Sequence, residues 1–356
     1  MRKDHYPSLD ALRGIGAFFV LVLHLSCADP VTHLFARGYL GVDLFFQLSG
    51  FVIGHAYQTD LQQGSITLSA YLQSRVRRLY PMIFLGALLS LCFVSYDIAP
   101  PSLFVQIGAQ AAIVPLLWAT GPIFPLNTPQ WSLFFELAAN LAHGVVARHL
   151  GVGRLGMIVL GSAALFCGAI MQLGSADIGV ASGGVAGGFA RVAFGFFTGL
   201  LMQRLWVKGV PRSFPNSSLA AMALFVMVVI GAGRVTIPRA LVDGCVAMVF
   251  CPAVVWLALS DPRPFRFPRL ARQAGRLSYP IYAIHVPLIT AAYHVVDVSG
   301  SGVASRSLLW MVMILVVVVL ADVLERVYDR PLRHWLNARA TPKRSIMANI
   351  SVSPSF

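Results

Sequence analysis

The amino-acid sequence predicts an all-α, polytopic membrane protein. Of its 356 residues, 57% are hydrophobic and only 12% are charged, and the mean hydropathy is +0.73. Soluble domains carry about a quarter charged residues, and a membrane-spanning helix needs about 20 mostly apolar residues. About ten transmembrane helices are expected, at 9–27, 38–57, 79–96, 131–147, 155–173, 187–206, 218–232, 241–259, 277–296 and 304–327.

The first apolar segment, 9–27, carries two ionisable residues. Arg13 interrupts the apolar run, so the segment is interpreted as a retained span and not as a cleaved signal peptide. His24 lies eleven residues after Arg13, which on a helix places both side chains on nearly the same face, about 16 Å apart along the axis. Such groups inside a bilayer usually face a polar cavity. Alternatively, Arg13 reaches the lipid headgroups and His24 bonds to a backbone carbonyl.

An eleventh apolar stretch, 103–118, is shorter and has prolines on both sides. If it does not cross and the N-terminus is cytoplasmic, the inner segments hold 22 of the 27 basic residues, as the positive-inside rule requires. If it does cross, every later loop changes side and the bias is lost. We therefore expect both termini in the cytoplasm and 103–118 as a re-entrant or interfacial helix.

The rest of the sequence indicates the domain organisation and excludes some kinds of binding site. An integral membrane domain is expected at 1–333, followed by a basic, disordered cytoplasmic tail at 334–356, and the Gly-rich outer loop 174–188 is expected to be mobile. The net charge of +13 lies in short loops between apolar segments, so it indicates membrane topology and not nucleic-acid binding. The five cysteines have no paired spacing, and no metal site is predicted.

Two acidic residues in later segments are candidates to support His24. Asp43, in GVDLFFQLSGF, is predicted near the depth of His24, where it could fix the imidazole tautomer or stabilise its charged form. The alternative is an acid that complements the helix macrodipole. Glu136, in PQWSLFFE, lies too deep for a bare carboxylate and is therefore protonated or paired; a structural core role is its alternative.

A run of three arginines precedes the third span, in QSRVRRLYP. Arg75 and Arg78 are three residues apart and share a helix face, so they could bind phosphates together, with Arg77 as an additional contact. Together with Arg13 they would form a basic mouth at the inner end of a cavity. A topology anchor without a ligand explains the same run.

The ninth span carries RLSYPIYAIHVPL. Tyr279, Tyr282 and His285 recur at helical spacing on one side. His285 is ranked below His24, because a lone histidine is more often a satisfied core residue. His143, near an inner helix end, is interpreted as interfacial.

These motifs resemble, in order, the signatures of the acyltransferase-3 family of integral membrane acyltransferases. The resemblance rests on LDALRGIGAFFVLVLHL, GVDLFFQLSGF, RVRRLYP, PQWSLFFE and LSYPIYAIHVPL, and it extends from Leu9 to about Arg333. Two small departures are Gln47, where an apolar residue is common in the family, and Ile284, where Trp is frequent.

The resemblance implies an enzyme of the bacterial inner membrane. Members move an acyl group, commonly acetyl from acetyl-CoA, to a hydroxyl of a sugar, glycan or glycolipid. It implies that Arg13 and His24 are the essential pair and that the inner arginines bind acyl-CoA. The resulting hypothesis assigns catalysis to His24, Asp43 and Glu136, donor binding to Arg13, Arg75, Arg77 and Arg78, and substrate contact or support to Trp131, Ser132, Tyr282 and His285.

A transporter or flippase of a glycolipid or anionic small molecule is the alternative function. Ten spans and buried charges around a cavity are also features of transporters. The two halves of the chain show no matching interrupted helices, which favours the enzyme. The sequence leaves open whether transfer is direct or passes through an acyl-histidine.

Overall fold

The computed structural model describes residues 6–26, 35–92, 100–117, 121–209, 214–295 and 303–340. Within these ranges the regular secondary structure is helical, and extended pairing is limited to an isolated bridge between Pro122 and Ala181. The predicted all-α fold class is confirmed for this part of the chain.

The helices follow one another in the order expected from the apolar segments. Two π-helical turns, Val246–Phe250 and Glu325–Asp329, each join two consecutive α-helices without a break. The α-helices of the described residues are α1 Pro7–Ser26, α2 Leu40–Gln63, α3 Leu68–Leu91, α4 Pro100–Ala112, α5 Gln130–Val146, α6 Val152–Leu173, α7 Val185–Val207, α8 Ser217–Ala232, α9 Arg239–Cys245, α10 Cys251–Leu259, α11 Pro268–Val295, α12 Val303–Leu324 and α13 Arg330–Ala340.

Each of the ten predicted spans contains one helix or one joined pair. Among the described residues, five stretches are long and apolar enough to cross a membrane, and α8 is apolar but shorter. The others, α2, α3, α5 and α11, carry polar side chains and line a cavity described below. The five qualifying stretches are Pro7–Leu25, Val152–Leu173, Ser182–Val207, Arg239–Leu259 and Ser307–Arg339.

The stretch 103–118 forms most of helix α4. Its 13 residues extend about 20 Å at about 1.5 Å per residue, which is too short for a hydrocarbon core of about 30 Å. Gln110 exchanges two hydrogen bonds with Gln130, at the first turn of α5. The expected re-entrant or interfacial placement of this short, anchored helix stays a prediction.

The loop between α6 and α7 is anchored by Asp243. This fully buried carboxylate accepts hydrogen bonds from Ser175 Oγ at 3.0 Å and from the Ala176 amide at 2.9 Å. It also accepts from Arg37 Nη1 at 2.5 Å and from the Tyr39 hydroxyl at 2.6 Å. The expectation of a mobile loop at 174–188 is therefore wrong for the segment held by Asp243.

Helix α13 continues the chain past the predicted end of the membrane domain. Its first turns are held to the preceding π turn, because Arg330 bonds to Glu325 at 3.0 Å and Arg333 bonds to Asp329 at 2.8 Å. The predicted disorder is therefore wrong for 334–340. The rest of the predicted tail, 341–356, lies outside the described residues.

Helices α2 and α7 cross in close backbone contact. A Cβ atom added at Gly50 would collide with the carbonyl oxygen of Phe196, and one added at Gly199 would collide with that of Gln47. This approach allows α2 to carry cavity-lining residues on one face and to hold α7 on another.

Candidate active site

A cavity lies between α1, α2, α3, α5 and α11. Its volume is about 140 Å³. We call it the inner cavity, because the arginines predicted at the cytoplasmic side line it. Its polar wall consists of Arg13, Arg75, Arg78, Ser132, Glu136, Ser278, Tyr279 and Tyr282, and its apolar wall includes Val42, Phe45 and Phe46 of α2.

Three arginines from two helices face the inner cavity, as the sequence predicts. Arg13 of α1 and Arg75 of α3 are close enough to interact electrostatically, and Arg78 interacts with both. The Arg78 guanidinium stacks over the ring of Tyr279 at 5.7 Å from its centroid. Arg75 Nε is buried without a hydrogen-bond partner among the described residues. Like charges held together with an unused donor form a site for an anion.

Arg77 lies outside the inner cavity, against the prediction that it helps to bind the donor. Its side chain donates to Gln73 Oε1 at 2.7 Å on the outer face of α3. The physical reason is helical geometry, since a residue one position before Arg78 is turned by about 100° from it.

Glu136 lines the inner cavity together with the arginines. Its Oε1 atom accepts from Ser49 Oγ at 2.7 Å and lies 3.7 Å from Arg75 Nη2. A deep carboxylate was expected to be paired, and this one lies against a cation. Its partners are Ser49 and Arg75 and not His24, so the predicted support of the imidazole by Glu136 is not seen.

Asp43 is the second acidic residue that the structure places away from His24. Both of its oxygens accept from Arg191 of α7, at 2.9 Å from Nε and 2.7 Å from Nη2. Both side chains are buried, and Arg191 also donates to the carbonyls of Ile178 and Tyr39. The predicted contact between Asp43 and His24 is wrong, because the carboxylate neutralises a fully buried arginine.

The partner of His24 comes from α11. His24 is half-buried, and its Nδ1 atom lies 2.9 Å from the carbonyl oxygen of Val20 and 3.3 Å from Nε2 of His285. The two rings meet edge to face with centroids 4.8 Å apart. His285 is fully buried, and its Nδ1 atom lies 2.8 Å from the carbonyl oxygen of Tyr282.

Tyr282 connects this histidine pair to the inner cavity. Its ring centroid is 5.8 Å from that of His285, and its hydroxyl is 2.6 Å from Ser132 Oγ. Tyr282 and Ser132 both line the cavity, whereas His24 is not among the lining residues. The expected continuous passage from Arg13 to His24 is therefore interrupted, with the side chain of Tyr282 placed between the cavity and the histidine pair.

Trp131 supports the structure behind the inner cavity. Its ring lies under the guanidinium of Arg191 at 5.3 Å and packs against Phe46 and Phe135. It is not a lining residue of the cavity, although Ser132, the next residue in α5, is.

Sequence reasoning missed two buried polar groups. Sequence reasoning assigns no role to Arg191, although an arginine and an aspartate in two apolar segments are a signal for a buried ion pair. His143 was interpreted as interfacial but is fully buried, with Nε2 2.7 Å from Gln58 Oε1 and Nδ1 3.1 Å from the Tyr71 hydroxyl. No local pattern indicates this second network, because its members lie on three helices.

Comparison with known proteins identifies the class. Residues 6–326 match the model of a family described as an acyltransferase domain. The match covers nearly the whole chain, so the protein belongs to this acyltransferase-3 family of integral membrane acyltransferases.

Three curated relatives illustrate the similarity. The chain is 36% identical over 160 residues to protein 2 in the picA locus of Rhizobium radiobacter, covering 39% of this chain and 81% of the relative. It is 25% identical to the exopolysaccharide production protein ExoZ of Rhizobium meliloti, covering 78% and 83%. It is 23% identical to the acyltransferase MdmB of Streptomyces mycarofaciens, covering 95% and 94%. No solved structure matches the chain.

Proposed function

We propose that this protein is an acyl-CoA-dependent O-acyltransferase that modifies a sugar or glycan hydroxyl at the outer side of the bacterial inner membrane. The observation that carries the proposal is the inner cavity itself. Three arginines face this cavity, and its wall at Ser132 and Tyr282 leads to the histidine pair. Acyl transfer needs an anion-binding site for the donor and a base near the reacting hydroxyl, and the three arginines and the histidine pair are the residues proposed for these two roles.

The donor is proposed to be acetyl-CoA or another acyl-CoA, bound through its phosphates by Arg13, Arg75 and Arg78. Guanidinium groups bind phosphate oxygens in paired hydrogen bonds, and Arg75 has an unused buried donor for this purpose. Glu136 offsets one of the three positive charges, so the inner cavity retains a cationic excess. Acyl-CoA is made in the cytoplasm, where the sequence predicts both termini and the loops that hold these arginines.

The reaction is proposed to use His24 as the general base. His24 takes the proton of the acceptor hydroxyl, the hydroxyl oxygen bonds to the acyl carbon, and the carbon–sulfur bond breaks. The proton then leaves on the sulfur as free CoA thiol. An acyl-histidine intermediate is the alternative route to the same products. Either route requires Tyr282 to move, because its side chain stands between the inner cavity and the histidine pair.

The acceptor is proposed to be a carbohydrate or lipid-linked glycan that arrives from the outer side, beneath the 103–130 connection. A relative of similar length is an exopolysaccharide production protein. The family to which the chain belongs is described as an acyltransferase domain, and the resemblance of its motifs implies transfer to a hydroxyl of a sugar, glycan or glycolipid.

The test uses purified protein and acetyl-CoA with a labelled acetyl group. The label is expected to pass to the envelope carbohydrate and glycolipid fraction of cells that carry the gene, with release of an equal amount of CoA thiol. Mass spectrometry then identifies the modified molecule. A transporter or flippase would release no thiol and transfer no label, and that result would reject the proposed function.

A further inference from the structure

We propose that His285 is a positioning residue that holds His24 with its proton on Nδ1, so that Nε2 is the reacting atom. This inference rests on the proposed function and deepens it. The sequence predicted that Asp43 or Glu136 supports His24. In the structure, the neutral imidazole of His285 on α11 takes this role. Both carboxylates have other partners. Asp43 pairs with Arg191. Glu136 contacts Ser49 and Arg75.

The tautomer of His285 follows from its backbone partners. Its Nδ1 atom lies 2.8 Å from the carbonyl oxygen of Tyr282 and 3.1 Å from that of Ile281. Carbonyl oxygens only accept hydrogen bonds, so Nδ1 carries the proton. In a neutral ring this leaves Nε2 with a lone pair, and Nε2 is the atom that faces His24 at 3.3 Å.

The tautomer of His24 follows in the same way. Its Nδ1 atom lies between two acceptors, the carbonyl oxygen of Val20 at 2.9 Å and Nε2 of His285 at 3.3 Å. Nδ1 therefore carries the proton, and the lone pair of His24 is on Nε2. When Nε2 takes up a proton or an acyl group, the ring becomes cationic. The hydrogen bond from Nδ1 to His285 is then charge-assisted and stronger than in the resting state.

The position of His285 is fixed by its own helix. Pro287 has no N–H group to donate to the carbonyl of Ala283, one turn earlier in α11. The Asn127 side chain donates to that carbonyl instead, at 2.9 Å. This contact ties α11 to the start of α5 beside the histidine pair, so the acceptor nitrogen of His285 is held in place for His24.

Two isosteric amides separate this role from a purely structural one. In His285→Gln, the amide oxygen can occupy the place of Nε2 and accept from His24. In His285→Asn, the shorter amide keeps a donor for the Tyr282 carbonyl but has no acceptor that reaches His24. His149→Asn, the same change at an exposed position outside the inner cavity, is the control.

Acyl transfer from acetyl-CoA to the envelope carbohydrate fraction is measured for each variant, together with thermal unfolding. We expect kcat of His285→Asn to fall by about 10–100-fold with little change in the donor KM, as is typical for the loss of an orienting partner. His285→Gln should retain most of the wild-type kcat.

The outcomes distinguish a failure of the role of His285 from a failure of the proposed function. If wild-type protein transfers label and the Asn and Gln variants have equal kcat, or lose activity in step with unfolding temperature, the assignment of His285 is overturned. If the wild-type protein itself transfers no label, the proposed function fails and the role of His285 fails with it.

Discussion

Among single residues, His24 makes the strictest prediction. Among the described residues its ring nitrogens contact one backbone carbonyl and one ring nitrogen, so removing the imidazole should not prevent folding. His24→Ala is expected to reduce acyl transfer by about 10²–10⁴-fold or more, the range that a positioned general base contributes. Transfer of labelled acetyl is measured alongside membrane insertion and thermal unfolding. Wild-type activity in a correctly inserted variant would remove His24 from the mechanism.

The arginines of the inner cavity make a prediction about the donor alone. Arg75→Ala or Arg78→Ala should raise the donor KM by about 10–100-fold, since a hydrogen bond to a charged group contributes about 1.5–3 kcal/mol. The acceptor KM should not change. Steady-state kinetics with varied acetyl-CoA and varied acceptor measure both.

Arg77→Ala is the matched control for this experiment, because Arg77 faces away from the inner cavity and bonds to Gln73. Its donor KM should remain at the wild-type value. An acceptor KM that rises in the Arg75 and Arg78 variants, with an unchanged donor KM, would place the acceptor and not the donor among these arginines.

The residues of the site were predictable from sequence only where one helix carries the information. Helical spacing correctly placed Arg75 and Arg78 on one face, and both line the inner cavity together with Arg13. Spacing does not say which side chain on another helix faces a given residue. For that reason Asp43 and Glu136 were assigned to His24, whereas their partners are Arg191, Ser49 and Arg75.

Between elements, the ion pair of Asp43 and Arg191 joins α2 to α7 and makes a stability prediction. Asp43→Asn or Arg191→Met leaves one charge buried and unpaired, which costs about 3–5 kcal/mol. Each single variant should therefore unfold at a clearly lower temperature. The double variant Asp43→Leu with Arg191→Met removes both charges and should recover part of the loss.

Thermal unfolding in detergent measures this coupling. Acyl transfer by the double variant should persist, since neither side chain lines the inner cavity. Single variants that unfold at the wild-type temperature would show that the pair does not stabilise the contact between α2 and α7.

The helices and loops also differ in how far they could be predicted, depending on whether neighbouring or distant residues in the chain determine them. The ten apolar segments each predicted a helix, because long apolar runs are a local property. Helix α13 was missed although the i,i+4 spacing of Asp329 and Arg333 supports a helix. The anchored loop after α6 could not be foreseen, because Asp243 follows Ser175 by more than sixty positions in the chain.

Across the whole molecule, the polar groups fall into separate regions along α1. Arg13 and His24 lie about 16 Å apart along the axis of that helix. The end of α1 that carries Arg13 lines the inner cavity. Helix α11 packs along α1, so that Tyr279 contacts Arg78 and His285 contacts His24. An arrangement of this kind suits a donor and an acceptor that approach from opposite faces of the membrane.

The most direct test of the proposed function is the sidedness of transfer in sealed vesicles. Inside-out vesicles would carry the acceptor fraction in the lumen and receive labelled acetyl-CoA only from outside, on the cytoplasmic face. We expect label on the enclosed carbohydrate in wild-type vesicles and not in those with His24→Ala. Transfer that occurs only when acetyl-CoA and acceptor are supplied on the same side would contradict it.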